Sequence, residues 1–513
     1  MSERAKKKPR RAPRAGEGGS TQRGPAAKKR RVAKAGAVKG APRTGARAEA
    51  LKAERPLLRR ERVALAKAAR AERAGQKPEL DTLDPLEPPR QRRALSHVGG
   101  KVERLEGDPE LCALIEQALA PNPEAGVRDH VHGFHSYPAR LHPRTAQTLI
   151  EGLSAEGGLV CDPFCGSGTV LVESRRLGRN ALGIDLNPLA IQLSLLKTQP
   201  PSAEQREQLT LAARRVADHA EERRAAKAGP TRPYSPAERK EFEIHVLLEL
   251  DGLASGIKEE HDLKLRRVLL LVLSSLFGKL ARPDPARIDP EGPPPKRLAS
   301  GFAIRFFLDR MKELLEQWHE YEELLPDPPP RVQCVEADSR DFVAKLERAG
   351  SRRRAGRQSA ELAPLGIGVP VDAFVMSPPY PGVLDYADYH LNRLRWLGLP
   401  SAPFERAEIG SRRSLSALSF EQAAARWEGD LWRVLRELRK IAAPGARFAL
   451  VSADSMLAGQ PYLADEMLER CAEQAGLDLL ARGSQRRPHF HRQSAQAFGT
   501  RPRYEHLVIL GAE

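Results

Sequence analysis

The chain of 513 residues contains only five cysteines, and no two of them form a Cys-x-x-Cys pair. This scarcity argues against a disulfide framework or a cysteine zinc site and predicts a reducing, cytoplasmic environment. Cys161 and Cys165 are expected to pack as small apolar side chains. The N-terminus has no apolar segment, so no signal peptide is predicted. The longest apolar run, residues 268–277, contains two serines and is too short to span a bilayer, so no membrane partner is expected.

Excess charge is absent from most of the chain, although the formal net charge is +17. Residues 1–100 hold 28 Lys and Arg against 10 Asp and Glu, which leaves 56 and 57 for all the remaining residues. The beginning of the chain also lacks large apolar side chains, and residues 1–95 are therefore predicted to be a disordered basic tail. Such a tail can neutralise nucleic-acid phosphates without reading sequence, or it can be a solvated extension without a role.

A parallel α/β pattern begins after the tail. A buried strand, a helix that ends at Gly178, a second strand and a second helix follow one another over residues 158–196. Helical patterns then precede further strands, the last of them expected to be antiparallel, and Pro444-Gly445 is expected to end a long helix. The pattern predicts a Rossmann-like α/β sheet. Its parts are a cofactor-binding half at 96–200, a helical insertion at 201–330 and a catalytic half at 331–513.

A glycine turn, Asp162-Pro-Phe-Cys-Gly-Ser-Gly-Thr169, joins the first strand to its helix. Leu171 replaces the third glycine of the dinucleotide fingerprint and no Lys-Ser or Lys-Thr follows, so a pyrophosphate or phosphate-loop ligand is disfavoured. Asp162 would repel an anionic cofactor and attract an ammonium group. S-adenosylmethionine meets these conditions, because its carboxylate would lie at the helix N-terminus. Asp185 is predicted to bind the ribose hydroxyls and Asp338 the adenine amino group, with helix capping as the alternative for both.

A second motif, Ser377-Pro378-Pro379-Tyr380, follows the apolar strand at 371–376. Two prolines remove two N–H donors and leave carbonyl acceptors, and the serine hydroxyl is a further acceptor. Such an edge suits an exocyclic amino group, which donates two hydrogen bonds, and Tyr380 offers a face for stacking a flipped base. An ordinary proline turn is the alternative. Methylation of cytosine at carbon 5 needs a cysteine nucleophile, typically after proline, and no Pro-Cys dipeptide occurs in the chain.

These motifs resemble those of the DNA amino-methyltransferases, which modify cytosine N4 or adenine N6 and have the class I S-adenosylmethionine-dependent methyltransferase fold. The glycine turn is similar to the cofactor motif of that family, residues 377–380 are similar to its catalytic motif, and residues 134–140 are similar to the segment that lines the methionine end of the cofactor. The resemblance implies a seven-stranded sheet. The residues it implies for catalysis are Ser377, Pro378, Pro379 and Tyr380, and those for cofactor binding are Phe134, Ser136, Tyr137, Asp162, Phe164, Gly166, Ser167, Gly168, Thr169, Asp185, Asn187 and Asp338.

The resemblance implies DNA as the partner, a cytoplasmic, nucleoid-associated location and a target-recognition region within residues 201–330. A cognate restriction endonuclease is a further partner that the sequence leaves open, as it does the recognition sequence and the oligomeric state. Serine in the first catalytic position is more typical of cytosine N4 enzymes. Adenine N6 methylation of DNA, guanine N2 methylation of RNA and a non-catalytic nucleic-acid-binding role remain alternatives, with RNA less favoured because the N-terminus does not resemble an RNA-binding domain.

Histidine and arginine clusters complete the candidate residues. His135 falls in the segment that resembles the cofactor region, whereas His130, His132 and His142 are expected on a loop surface, so no metal site is predicted. Arg412-Arg413 and Arg486-Arg487 are expected either to contact phosphates beside the pocket or to be solvated loop charges.

Overall fold

The computed structural model describes residues 100–120, 126–283, 297–344, 370–489 and 492–512. The predicted basic tail, residues 1–95, lies outside these residues. Within them, no helix combines the length and the apolar character needed to cross a membrane.

The centre of the fold is an eight-stranded sheet. The two neighbouring central strands Leu159–Asp162 and Val371–Met376 are short and apolar. Nine of their ten residues are buried, as expected where helices cover both faces of the sheet. Two further short strands form a separate hairpin. In chain order the strands are β1 (Val102–Gly107), β2 (Leu159–Asp162), β3 (Asn180–Asp185), β4 (Val332–Glu336), β5 (Val371–Met376), β6 (Ala442–Ala453), β7 (Ser455–Leu457), β8 (Gln460–Tyr462), β9 (Asp478–Arg487) and β10 (Arg503–Gly511).

The order across the sheet is β1-β9-β10-β6-β5-β2-β3-β4. The five strands from β6 to β4 are parallel, whereas β10 runs antiparallel to both β6 and β9, as predicted for the last strand. The Rossmann-like α/β class is confirmed, but the expected count of seven strands is wrong, because β1 pairs with β9 at the edge. All but one of the β1 side chains are exposed, so the strand carries no apolar alternation that the sequence would reveal.

Helices cover the sheet and fill the segment between β3 and β4. Several begin at side-chain caps, and Ser202 and Ser419 each form a capping box with the glutamine three residues later. In chain order they are α1 (Pro109–Leu119), α2 (Pro143–Leu153), α3 (Thr169–Arg176), α4 (Pro188–Thr198), α5 (Ala203–Ala225), α6 (Pro236–Glu241), α7 (Ile244–Glu259), α8 (Leu263–Leu280), α9 (Phe302–Glu322), α10 (Tyr386–Leu397), α11 (Ala402–Ala407), α12 (Arg412–Leu415), α13 (Phe420–Arg439), α14 (Ala464–Ala475) and α15 (Arg492–Phe498).

Pro444 and Gly445 were expected to end the long helix, but they do not. That helix, α13, ends at Arg439, and both residues lie exposed in the first part of β6. The pairing of β5 with β6 shifts register between Val371 and Ala373. Such an irregularity tolerates proline, because the missing N–H is not needed where the ladder is interrupted.

The inserted helices α5, α7, α8 and α9 share one hydrophobic core with the cofactor-side helices α3 and α4. Trp318 of α9 is fully buried, and its Nε1 donates a hydrogen bond to the carbonyl of Leu196 in α4 at 2.8 Å. Tyr321, one turn later, donates from its hydroxyl to the carbonyl of Val172 in α3 at 3.2 Å. The insertion is therefore joined to the first half of the sheet by both apolar packing and directed hydrogen bonds.

Replacing Trp318 by phenylalanine is expected to lower the free energy of unfolding by about 1–3 kcal/mol, because the buried carbonyl of Leu196 loses its donor. Denaturant titration measures this difference. Leu263→Ala is the control, since Leu263 is 70% exposed and its removal is expected to change stability by less than about 0.5 kcal/mol. Equal losses in the two variants would contradict the role given to the Trp318 hydrogen bond.

Candidate active site

The glycine turn between β2 and α3 has a backbone that only glycine adopts readily at two positions. Gly166 and Gly168 have φ values of 50° and 82°. A Cβ atom on Gly168 would lie 2.8 Å from Ser194 Oγ, and one on Gly166 would lie 3.2 Å from the ring of Tyr137. Gly168 is also the N-cap of α3, so the turn stands at the positive end of the helix dipole. An anionic group would be stabilised there.

Asp185, the last residue of β3, ties the turn to the following loop. Its Oδ2 accepts a hydrogen bond from the backbone N–H of Gly166 at 2.9 Å, and its Oδ1 accepts one from Asn187 at 2.8 Å. Burial raises the pKa of Asp185 to about 6, although these backbone hydrogen bonds oppose the shift. A carboxylate has about four lone-pair sites, more than these backbone groups use, so Asp185 can still accept from a ligand.

Asp162, the last residue of β2, is 5% exposed. Its Oδ1 accepts a hydrogen bond from the backbone N–H of Phe164 at 3.0 Å. Burial raises the pKa of Asp162 to about 8, and the nearby Asp185 adds to the rise. A perturbed carboxyl group of this kind is typical of a functional site, and a cationic ligand group would favour its ionised form.

These groups line a cleft whose empty space, part of it open to solvent, is about 890 Å³. Ser167 Oγ is buried in its wall and has no hydrogen-bond partner among the described residues, so a polar ligand group would satisfy it. The predicted residues that line the cavity are Tyr137, Asp162, Phe164, Gly166, Ser167, Thr169, Asp185, Asp338, Ser377 and Pro379.

Phe134 and Ser136, which were predicted to contact the cofactor, do not line the cavity. Phe134 belongs to the hydrophobic core, and its carbonyl accepts a hydrogen bond from Arg310. Ser136 is exposed, with its hydroxyl 3.4 Å from Arg393 Nη2. Within the segment that resembles the methionine-end region, Tyr137 and the residues after it form the cavity wall.

Asn187 and Gly168 also stand behind the wall of the cavity. The side-chain oxygen of Asn187 caps α4 by accepting from the N–H of Leu189, and its amide nitrogen donates to the hydroxyl of Tyr137 at 3.2 Å. Gly168 faces Ser194 of α4. Asn187 therefore acts on the cavity through Tyr137, and Gly168 acts on it through its chain neighbours Ser167 and Thr169, which line it.

Asp338 follows β4 and reaches the cavity as one member of a charged network. Its Oδ2 lies 2.6 Å from Arg340 Nη2, and its Oδ1 accepts from Arg340 Nε at 2.9 Å. Arg340 also contacts Asp430 of α13 at 2.8 Å. The network fixes the Asp338 carboxylate at the wall of the cavity.

A second cavity of about 460 Å³ adjoins the first, and Ser377 lines both. Pro378 and Tyr380 line the second cavity, whereas Pro379 lines the first. The structure therefore brings the glycine turn and the Ser-Pro-Pro-Tyr segment to one place, at the carboxyl ends of adjacent parallel strands.

Tyr380 is held by a buried ion pair that the sequence did not indicate. Its hydroxyl donates to Glu505 Oε1 at 3.1 Å, and Glu505 Oε2 accepts from Arg487 Nε at 3.0 Å and from its Nη2 at 2.5 Å. Burial raises the pKa of Tyr380 well above its ordinary value, so the phenol stays protonated and keeps its donor role. The ring is thereby fixed at the wall of the second cavity.

One prediction about the basic clusters, the role of Arg487, is wrong. Arg487 is buried and paired with Glu505, so it is neither a phosphate contact nor a solvated charge. Its neighbour Arg486 is exposed. Arg412 and Arg413 are exposed as well, and each forms an ion pair with an aspartate of the α10 region, at 3.3 and 2.9 Å respectively.

The four histidines are buried, so the expected loop-surface location is wrong for three of them. His132 Nε2 lies 2.7 Å from Glu173 Oε1, and Glu173 Oε2 accepts from Arg176 at 2.7 Å. His130, His132 and Glu173 offer three ligand atoms within 4.8 Å of one another. The Glu173 carboxylate, however, is already shared between His132 and Arg176. The exposed fractions are 9% for His130, 1% for His132, 2% for His135 and 2% for His142.

Sequence reasoning missed the far wall of the first cavity, which Tyr386, Phe404, Glu408 and Ile409 line. Glu408 Oε1 accepts from the backbone N–H of Tyr386 at the start of α10, and its Oε2 is buried without a hydrogen-bond partner in the described part of the chain. Burial raises the pKa of Glu408 to about 7. These residues belong to neither sequence motif, so only the folded chain reveals them.

Comparison with known proteins adds to this geometry. Residues 116–195 match the N6/N4 family model of DNA methylases. The predicted resemblance to DNA amino-methyltransferases is thereby confirmed. The matched segment contains Asp162, the glycine turn and Asp185, and it ends before the Ser377–Tyr380 motif.

Relatives with local similarity include methyltransferases of different kinds. The chain is 36% identical over 70 residues to the type II methyltransferase M.MjaII of Methanocaldococcus jannaschii. This match covers 14% of this chain and 13% of that protein. It is 40% identical over 77 residues to M.MvaI of Kocuria varians, covering 14% and 17%. It is 41% identical over 80 residues to the ribosomal protein L11 methyltransferase of Actinobacillus succinogenes, covering 15% and 27%. The chain thus spans only a minor part of the length of each relative.

Gly168→Ala is expected to destabilise the fold and to weaken binding of S-adenosylmethionine, because the new Cβ strains the backbone and displaces Ser194 from beneath the turn. Gly178→Ala is the matched control, since Gly178 has a φ of 80° but its Cβ would meet nothing closer than 3.8 Å. We expect both variants to lose about 1–2 kcal/mol from backbone strain, with only Gly168→Ala losing further stability and cofactor affinity. Calorimetric titration and denaturant unfolding measure the two effects, and equal behaviour of the variants would refute this role.

Asp162 makes the free energy of unfolding depend on pH. The pKa of Asp162 is about 8 in the folded chain against an ordinary value of 3.8, so the folded state binds more protons than the unfolded state between these limits. The contribution of Asp162 to the stability of the ligand-free protein therefore falls as pH rises from about 4 to 8. Asp162→Asn removes this contribution, and we expect the stability of the variant relative to the wild type to increase over this range. Parallel curves for the two proteins over pH 5–8 would contradict it.

Proposed function

We propose that the protein is an S-adenosylmethionine-dependent DNA methyltransferase that methylates an exocyclic amino nitrogen of a flipped base, most specifically cytosine N4. The observation that carries this proposal is the position of Ser377 in the walls of both cavities. One cavity has buried carboxyl groups and a glycine turn, and the other has Pro378 and Tyr380. A methyl donor and an amino acceptor bound in the two cavities would meet at Ser377.

The residues of the first cavity fit S-adenosylmethionine. When bound, this cofactor supplies a methyl group made electrophilic by a sulfonium centre. Asp162 would accept from its ammonium group, the N–H groups of the turn and Arg140 would hold its carboxylate, and Asp185 would accept from the ribose hydroxyls. Asp338 would accept from the adenine amino group. The buried and unpartnered Ser167 hydroxyl supports this assignment, because it needs a polar ligand group.

The residues of the second cavity suit a flat base with an amino group. Ser377 Oγ and the Pro378 carbonyl would accept from the two amino N–H groups and turn the nitrogen lone pair toward the first cavity. Tyr380 stacks on the base, and Glu505 fixes the plane of its ring. The nitrogen gives up one proton to water after it has gained the methyl group. Orientation of the reacting atoms supplies much of the rate enhancement.

Several features bear on the substrate. Serine in the first catalytic position is typical of cytosine N4 enzymes in the family that the chain resembles. Adenine N6 of DNA and guanine N2 of RNA are the alternative acceptors, and a non-catalytic role is disfavoured by the complete set Asp162, Asp185, Ser377 and Tyr380. The inserted helices within 201–330 would contribute target recognition, and the basic tail would hold phosphates. A protein acting on chromosomal DNA would work in the cytoplasm at the nucleoid, alone or with a cognate endonuclease.

The test is methyl transfer from labelled S-adenosylmethionine to genomic DNA and to total RNA, followed by nucleoside mass spectrometry. We expect 4-methylcytosine in DNA. Tyr380→Ala is expected to lower turnover by at least tenfold while cofactor affinity is retained, because stacking of a base contributes about 1–3 kcal/mol. Asp162→Ala is expected to weaken cofactor binding instead. Tyr380→Phe is the control that keeps the ring and loses only the hydroxyl.

Label in RNA alone would refute the DNA assignment, and 6-methyladenine would move the assignment to the adenine branch. Wild-type activity in both Tyr380→Ala and Asp162→Ala would refute the roles of these residues.

A further inference from the structure

We propose that Glu408 is a further cofactor-binding residue, which accepts a hydrogen bond from a ribose hydroxyl of S-adenosylmethionine through Oε2. The inference rests on the proposed function and extends its cofactor site to a residue of the catalytic half. Glu408 follows α11 and lines the first cavity. Its side chain is 3% exposed, and among the described residues Oε2 has no hydrogen-bond partner. A buried acceptor of this kind needs a donor, which a ligand in the cavity would supply.

The other carboxyl oxygen fixes the direction of the Glu408 side chain. Oε1 accepts hydrogen bonds from the backbone N–H groups of Tyr386 and Ala387, the latter at 3.4 Å, in the first turn of α10. The positive end of this helix favours the ionised carboxylate, whereas burial opposes it. Arg413 Nη2 lies 3.9 Å from Oε2, beyond hydrogen-bond distance. Because Oε1 is occupied, Oε2 is the atom that is left to accept from a ligand.

The backbone on both sides of Glu408 is fixed as well. Arg340 Nη2 donates to the carbonyl of Ala407 at 2.8 Å. The carbonyl of Gly410 accepts from a backbone N–H just after the Ser-Pro-Pro-Tyr segment at 2.9 Å. Arg340 also pairs with Asp338, the residue proposed for the adenine amino group, so one arginine joins the Glu408 segment to the nucleoside end of the site. Glu408 therefore belongs to a wall whose shape is set before the ligand binds.

Tyr386 connects Glu408 with Asp185, the residue proposed for the ribose hydroxyls. Burial raises the pKa of Tyr386 above its ordinary value, and Asp185 and Glu408 both add to the rise. The two carboxyl groups therefore lie close to one phenol in the wall of the first cavity. Each Asp185 oxygen already accepts from a backbone N–H group, whereas a ribose has two hydroxyls to bind. Glu408 shares this task with Asp185, so that each carboxylate accepts from one hydroxyl.

The experiment measures the binding of S-adenosylhomocysteine and of its 2′-deoxy and 3′-deoxy derivatives by calorimetric titration. Glu408→Gln keeps the shape of the side chain but removes its charge, and Glu408→Ala removes the carboxyl group without adding a donor. For each variant, four Kd values, with and without one hydroxyl, isolate the coupling between Glu408 and that hydroxyl. The midpoint of thermal unfolding is recorded for each protein.

We expect each Glu408 variant to weaken binding of S-adenosylhomocysteine about tenfold, the loss of a hydrogen bond to a charged group. With one of the two deoxy derivatives the same substitutions should change Kd by less than about twofold, because the hydroxyl that Glu408 holds is absent. Glu405→Gln is the matched control. It removes the same charge from α11, lines neither cavity and is expected to retain wild-type affinity for all three ligands.

Equal effects of the Glu408 variants on all three ligands, including no effect, would overturn the inference while the proposed function stands. A wild type that binds both deoxy derivatives as tightly as the parent compound would overturn it as well, whichever variant folds. A further derivative lacks the adenine amino group, and loss of the Glu408 effect with that ligand alone would refute the assignment to ribose. A wild type that binds no S-adenosylhomocysteine would refute the proposed function and this inference together.

Discussion

Val160 and Cys161 of β2 pair with Ala373 and Phe374 of β5, and this short parallel contact controls the distance between the two motifs. Parallel strands present their carboxyl ends at the same edge of a sheet, which is where ligands bind in open α/β folds. The glycine turn and the Ser-Pro-Pro-Tyr segment leave that edge side by side, although the inserted helices separate them in the chain. A shift of register between these two strands would move one cavity relative to the other and separate the glycine turn from the Ser-Pro-Pro-Tyr segment.

The central sheet and the two motifs could be predicted because their signals are local. Strands β2 and β5 are short apolar runs, and Gly166 and Gly168 mark a turn that few other residues can form. The edge strand β1 could not be predicted, because its side chains are exposed and its pairing with β9 depends on residues at the other end of the chain. Local pattern carries no information about such a partner.

The cavity walls show the same limit. Glu408 and Glu505 stand far along the chain from the motifs they support, and nothing in their immediate sequence distinguishes them from surface glutamates. Arg487 looked like a phosphate contact because it adjoins other basic residues, but β9 and β10 place it against Glu505 in the interior. A charged residue in a sequence predicts a surface location, and this prediction fails where the fold supplies a buried partner of opposite charge.

Buried carboxyl groups are concentrated in the first cavity, where burial raises the pKa of Asp162, Asp185 and Glu408. Three such groups near one space oppose folding of the ligand-free chain at neutral pH, and a ligand that donates hydrogen bonds or carries positive charge would offset that opposition.

The hydrogen bonds from Trp318 and Tyr321 to the helices behind the turn have a separate consequence for protein engineering. A graft that replaced α9 would remove the donors that bind the carbonyls of Leu196 in α4 and Val172 in α3. A chimera of this protein would have to retain α9 and exchange only the inserted segments that precede it in the chain.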